Sequence, residues 1–148
     1  KTNLGLLNEY HRLHLVQLAI EGESKMRASD IEFRLPRPSY TIDTLTYLKE
    51  KYPSHHFSVI MGGDSFQNIS QWKNHQILIR DYDLYVYGRP GFEVTIPSEY
   101  KNVYLVKAPF LEISATQIRA NVKKGKSIRF LVPERVREEI EKNGYYRN

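Results

Sequence analysis

His56-Phe57-Ser58-Val59-Ile60-Met61-Gly62-Gly63-Asp64 is the stretch on which the fold turns. A short apolar run containing β-branched Val59 and Ile60 breaks off at two glycines and a carboxylate, as a buried strand does where it opens onto a ligand-facing turn. The run is expected to be a central strand. Glycines at a strand's carboxyl end let a ligand approach the backbone, and the carboxylate that follows can bind sugar hydroxyls. The same residues also suit an ordinary tight turn with Asp64 capping the next helix, and spacing alone leaves both readings open.

Working outward, the segment from Asn8 to Ile20 places Leu7, Tyr10, Leu13, Val16 and Ile20 at three- to four-residue steps, with Asn8 available as a cap, and predicts a helix. Ala28 to Phe33 alternates and is expected to be a strand, ended by Pro36-Arg37-Pro38. Ile42, Leu45 and Leu48 at helical spacing predict a helix from about 42 to 52, stopped by Pro53. Beyond the glycine turn, short helical stretches around 65–69 and 75–80 lead to a strand at Asp83 to Tyr87 and the turn Gly88-Arg89-Pro90-Gly91. Asn102 to Val106 supplies another strand. Helices over Thr116 to Lys123 and from Pro133 to about Lys142, the latter ended by Gly144, complete the chain. Helices alternating with short buried strands predict an α/β fold built on a parallel sheet. The 148 residues carry no internal repeat, and one domain over 1–148 is expected.

Composition narrows the function classes. An apolar fraction of 41% with 12% aromatics is too high for a disordered chain, and no run approaches the length of a membrane span. Without cysteine there is no disulfide framework and no thiolate nucleophile, and the cytoplasm is the expected compartment. The net charge of +5 suits anionic ligands without choosing among them.

Four constellations could carry chemistry. Beside Met61-Gly62-Gly63-Asp64 stands Ile113-Ser114-Ala115-Thr116-Gln117-Ile118-Arg119, with hydroxyls at a helix start and a guanidinium one turn in. Free amides, the positive dipole end and Arg119 would converge there on an anion, although Ser114 and Thr116 can equally serve as plain helix caps. Pro38-Ser39-Tyr40-Thr41-Ile42-Asp43-Thr44 is a second hydroxyl-rich helix start. The one tryptophan, Trp72, sits among Ser70, Gln71 and Lys73, a setting that suits a stacking face for a flat ring as well as packing at a helix end. The pairs His11/His14 and His55/His56 have no acidic residue at ligand spacing, so no metal site is expected. The common glycine-rich nucleotide signatures and the nucleophile elbow are absent from the sequence.

Together, Pro38-Ser39-Tyr40-Thr41-Ile42-Asp43-Thr44-Leu45, Gly62-Gly63-Asp64-Ser65 followed by Trp72, Gly88-Arg89-Pro90-Gly91, and Ile113-Ser114-Ala115-Thr116-Gln117-Ile118-Arg119 resemble the bacterial nicotinate-mononucleotide adenylyltransferases, of the nucleotidyltransferase superfamily. The tail Ser127-Ile128-Arg129-Phe130-Leu131-Val132-Pro133-Glu134-Arg135-Val136 with Gly144-Tyr145-Tyr146 is similar to that family's C-terminal end. Members of the family begin with a strand and a turn bearing His/Thr-x-Gly-His, a tetrad that these 148 residues do not contain. The resemblance therefore implies an N-terminally truncated nucleotidyltransferase domain that lacks its first strand–helix unit.

The resemblance implies a Rossmann-like doubly wound parallel sheet, the adenine nucleotide α-hydrolase-like fold, with the site at the carboxyl ends of its strands. It implies adenylyl transfer from ATP to nicotinate mononucleotide, with Mg²⁺ accompanying ATP. Tyr40 and Thr41 would border the mononucleotide, Trp72 would stack on its pyridine ring, and the Thr41 and Lys73 amides would face its carboxylate. Gly62 and Asp64 would meet the adenosine ribose. Ser114, Thr116 and Arg119 would cradle the phosphates, with Arg89 adding charge and Arg119 and Ser114 as the catalytic pair.

Two rivals are distinguishable on the sequence. Another superfamily member, such as a phosphopantetheine adenylyltransferase, would share the Ile-Ser-x-Thr-x-Ile-Arg helix start but not Tyr40-Thr41 together with Gly-Gly-Asp and Trp72. A non-catalytic basic nucleic-acid-binding module could use the +5 charge and eleven tyrosines, but the basic residues are scattered and the aromatics fall mostly inside predicted elements. Neither a nucleic acid nor a membrane is expected as a partner, and a homo-oligomer is left open.

Overall fold

A computed structural model describes residues 7–91, 93–109 and 112–147. The chain divides into two compact units, one of Ile31–Glu112 and one of Lys1–Asp30 with Ile113–Asn148.

The Ile31–Glu112 unit is built on a three-stranded parallel sheet of β1 (Ser58–Gly62), β2 (Asp83–Tyr87) and β3 (Val103–Val106), in that order. Ser58 pairs with Asp83 and Gly62 with Tyr87, while Leu84 pairs with Val103 and Tyr87 with Val106. The alternation of each strand sorts its side chains between two faces. Leu84 and Val86 point into the core and have no exposed surface, whereas Ile60 and Tyr85, paired in the ladder, lie on the more exposed face. Leu78 and Ile79 of α4 (His75–Asp81), Ile42 and Leu45 of α2 (Thr41–Lys51), Met61, Phe66, Ile69, Tyr82 and Val103 complete this core. A short helix α3 (Gly63–Phe66) springs directly from the end of β1.

Most of these elements agree with the sequence pattern. Two do not. Ala28 to Phe33 forms no strand: residues 28–30 are irregular and Ile31–Arg34 is a short 3₁₀ turn. Pro36 and Pro38 follow at once and have no N–H to extend a ladder, while the Glu32 carboxylate accepts from Thr44 Oγ1 at 2.9 Å and ties the turn to α2. The expected central place of β1 is the second correction. Among the described strands β2 has a neighbour on each side, and β1, with Ile60 75% exposed, has one.

The other unit packs α1 (Glu9–Ala19), α5 (Ala115–Lys123) and α6 (Glu134–Asn143) around Ile128, Val136 and Ile140, joined by Leu15, Leu18, Ile118 and Val122. Asn8 caps α1 by accepting from the Tyr10 amide at 2.9 Å. Gly144, at φ +64°, ends α6, and the Tyr145 amide reaches back to the Ile140 carbonyl at 3.0 Å. That is a Schellman close, with Tyr145 packed on the same apolar cluster as Ile140. The histidines of α1 find partners on or just after α6: His11 Nδ1 lies 2.9 Å from the Tyr145 hydroxyl, and His14 lies 3.6 Å from Glu139.

Leu84 fills the middle of the sheet with no exposed surface, so truncation there leaves a cavity that parallel strands on both sides cannot collapse into. Leu84→Ala is expected to lose about 2–5 kcal/mol of unfolding free energy. Urea unfolding with an unchanged slope and a lower midpoint would show it; a loss below about 1 kcal/mol would mean that Leu84 is not central to the core.

Candidate functional site

The pairing of Gly62 with Tyr87 sets the carboxyl ends of β1 and β2 side by side, so that the turns leaving them meet. From β1 come Gly62, Gly63 and Asp64; from β2 come Gly88 and Arg89. Arg89 Nη1 donates to Asp64 Oδ2 at 3.2 Å across 25 residues of sequence. The second oxygen, Asp64 Oδ1, is buried and has no hydrogen-bond partner among the described residues. A buried carboxylate oxygen without a donor is costly, and a hydroxyl brought to this point would satisfy it. Gly62 explains how the carboxylate fits. A Cβ on Gly62 would stand 2.5 Å from Asp64 Oδ1 and 3.0 Å from Arg89 Cδ. A cavity of about 970 Å³ opens beside this pair, lined by Gly88, Arg89, Pro90, Thr95, Val106 and Lys107 among others.

A second cavity, of about 280 Å³, is made by two segments far apart in sequence. Ser39, Tyr40, Thr41 and Ile42 form one wall at the start of α2, and Gln71, Trp72 and Lys73 the other. No side chain caps α2, since Tyr40 stands at the cap position without the hydroxyl or carboxylate reach of Ser or Asp. Trp72 is half-buried, its body packed on the core cluster. The core-packing reading of the tryptophan is realised, and the same residue also lines the cavity. Lys73 Nζ lies 4.9 Å from the centre of the Tyr40 ring and donates to both oxygens of Asp43, at 2.9 and 2.7 Å.

In the other unit, Ser114 stands at the cap of α5 and its Oγ accepts from the Gln117 amide at 3.2 Å. The capping role is thus realised, and the hydroxyl proton remains available to a ligand. Arg119 Nη2 donates to Thr116 Oγ1 at 3.2 Å, which draws the guanidinium back toward the helix start. Nearby Tyr146 has its phenol pKa raised by burial, with the charges of Arg119 and Arg12 pulling it the other way.

The structure thus brings Tyr40, Thr41, Trp72 and Lys73 to one cavity, Gly62, Asp64 and Arg89 to one turn cluster, and Ser114, Thr116 and Arg119 to one helix start. Sequence reasoning missed Asp43, although it quoted the motif that contains it: no local signal connects residue 43 to a lysine thirty positions on. It also gave no weight to Gln71, Thr95 or Lys107, whose loops become cavity walls only once the sheet is assembled.

These ends of a parallel sheet are where α/β folds of the doubly wound kind bind nucleotides. The pattern of the cytidylyltransferase-like family matches residues 1–121. A protein of Cytophaga hutchinsonii named probable nicotinate-nucleotide adenylyltransferase is 52% identical over 148 residues, covering 100% of this chain and 77% of its own length. A protein of the same name from Flavobacterium johnsoniae is 45% identical over 96% of this chain and 75% of its own. The solved structure of Plasmodium falciparum nicotinic acid mononucleotide adenylyltransferase complexed with NaAD superposes with a TM-score of 0.78 at 21% identity, over 99% of this chain and 78% of that one, and supports the fold. The chain belongs to the nicotinate-nucleotide adenylyltransferases of the cytidylyltransferase-like family.

Adding one methyl at Gly62 tests the close approach directly. Gly62→Ala must displace Asp64 or the Arg89 side chain, and is expected to cost about 1–3 kcal/mol of stability. Paired with Asp64→Ala, which removes the obstructing oxygen, the cost of Gly62→Ala should shrink; equal costs in both backgrounds would show that the clash is not with Asp64.

Proposed function

We propose that this protein transfers the adenylyl group of ATP to nicotinate mononucleotide, giving nicotinate adenine dinucleotide and pyrophosphate for NAD biosynthesis, in the cytoplasm. The observation that carries the reading is the small cavity in which Trp72, Tyr40, Thr41 and Lys73 meet from two distant segments. An indole face, free helix-start amides and an aromatic ring suit a flat, anionic ring such as pyridine carboxylate.

The reaction needs little proton chemistry. An oxygen of the mononucleotide phosphate attacks the α-phosphorus of ATP, a P–O bond to that phosphorus forms, the bond to the bridging oxygen of the β-phosphate breaks, and pyrophosphate leaves with the electron pair. Because the nucleophile is already anionic, catalysis lies in positioning and in stabilising charge. Trp72 and the amides of Thr41 and Lys73 orient the mononucleotide. Asp64 Oδ1, lacking a donor among the described residues, takes a ribose hydroxyl of ATP, and Gly62, without a Cβ, leaves room for that carboxylate oxygen. Arg89 supplies positive charge beside Asp64, and the start of α5, with Ser114, Thr116 and Arg119, is suited in its own right to hold phosphates. Among the described residues no group of three or more His, Asp or Glu side chains could cage a metal ion. The donor set suits Mg²⁺ carried in on the phosphates of ATP, as part of the substrate, where it shields their charge.

Three outcomes are expected. With a strand–turn bearing His-x-Gly-His ahead of residues 1–148, mixing the protein with ATP and nicotinate mononucleotide should release pyrophosphate and the dinucleotide in equal amounts; pyrophosphate release that does not require the mononucleotide would contradict the reading. Nicotinate mononucleotide should quench the emission of Trp72, the one tryptophan of the chain, and unchanged emission at saturation would remove Trp72 from the site. Arg119→Ala should raise the barrier by about 2–4 kcal/mol, felt in turnover far more than in mononucleotide affinity. Near-normal turnover would take Arg119 away from the phosphates.

A further inference from the structure

The two walls of the Trp72 cavity come from segments thirty residues apart, and something must hold them at a fixed spacing. On the inner side the core does so, through Ile42 and Ile69 in one buried cluster. On the outer side, among the described residues, the polar contacts that join the walls run through Lys73. Its ammonium donates to both carboxylate oxygens of Asp43 and rests near the Tyr40 ring. Asp43 itself is not part of the cavity lining. Lys73 follows Trp72 directly in the chain, so fixing the lysine side chain also restricts the backbone that aims the indole.

Resting on the function proposed above, we propose that Asp43 is a positioning residue for the mononucleotide: through Lys73 it holds the Gln71–Lys73 wall against the start of α2 and keeps the face of Trp72 set for the pyridine ring. Asp43 touches no substrate. Its carboxylate compensates the charge of Lys73 and works as the outer clasp of the cavity. The pair is two-fifths exposed on each side, at 43% for Lys73 and 40% for Asp43, so it adds little to global stability. Its effect is local, and that separates it from a structural role.

The test uses two readouts. In the protein without substrate, Asp43→Asn should make Trp72 more accessible to acrylamide while the melting temperature changes little. In turnover, Asp43→Asn should raise KM for nicotinate mononucleotide by about three- to tenfold, with KM for ATP and kcat within about twofold. Exchanging the partners, Asp43→Lys with Lys73→Asp, should recover most of both effects. Unchanged quenching together with an unchanged mononucleotide KM overturns the inference. So does a loss spread equally over both substrates and the melting temperature, since that marks a merely structural contact. Dinucleotide formation absent from the unsubstituted protein would overturn the function reading instead, while the quenching comparison would still decide whether Asp43 sets Trp72.

Discussion

Everything placed at the site of the Ile31–Glu112 unit depends on the parallel pairing of β1 with β2. Because Gly62 lies opposite Tyr87, two turns that leave the sheet in the same direction emerge side by side, and Asp64 meets Arg89. An antiparallel pairing would send those turns to opposite ends of the sheet. The pairing is fixed in turn by burial. Leu84 and Val86 have no exposed surface, and a slip of one residue would carry both to the face on which Tyr85 and Tyr87 lie.

The site depends on this frame for its chemistry as well as its geometry. Holding Asp64 with one oxygen on a guanidinium and the other buried without a donor costs stability, and such costs are tolerated where a ligand relieves them. The uncapped start of α2 is a similar case. A Ser or Asp in place of Tyr40 would satisfy an amide that a carboxylate ligand can otherwise use, so the better helix would be the poorer site.

Much of this was legible in the sequence because it is written in local pattern. Ile42, Leu45 and Leu48 with Pro53 define α2, and Asp83 to Tyr87 alternates as a strand whose buried members are Leu84 and Val86. The motifs around Tyr40, Gly62, Arg89 and Ser114 mark positions in the chain that the fold gathers. What local pattern could not carry was pairing across distance. Ile31 and Phe33 alternate as a strand would, yet two prolines and the Thr44–Glu32 bond turn the segment into 3₁₀. Asp43 and Lys73 are each unremarkable charged residues on their own segments, and only the folded unit shows that they form one contact.

The most direct test of the account is the structure of this protein with nicotinate adenine dinucleotide bound. The account predicts the pyridine ring against Trp72 with its carboxylate at the start of α2, and a ribose hydroxyl of the adenosine half within hydrogen-bond distance of Asp64 Oδ1. A dinucleotide bound with the Trp72 face empty and Asp64 Oδ1 still without a donor would contradict it.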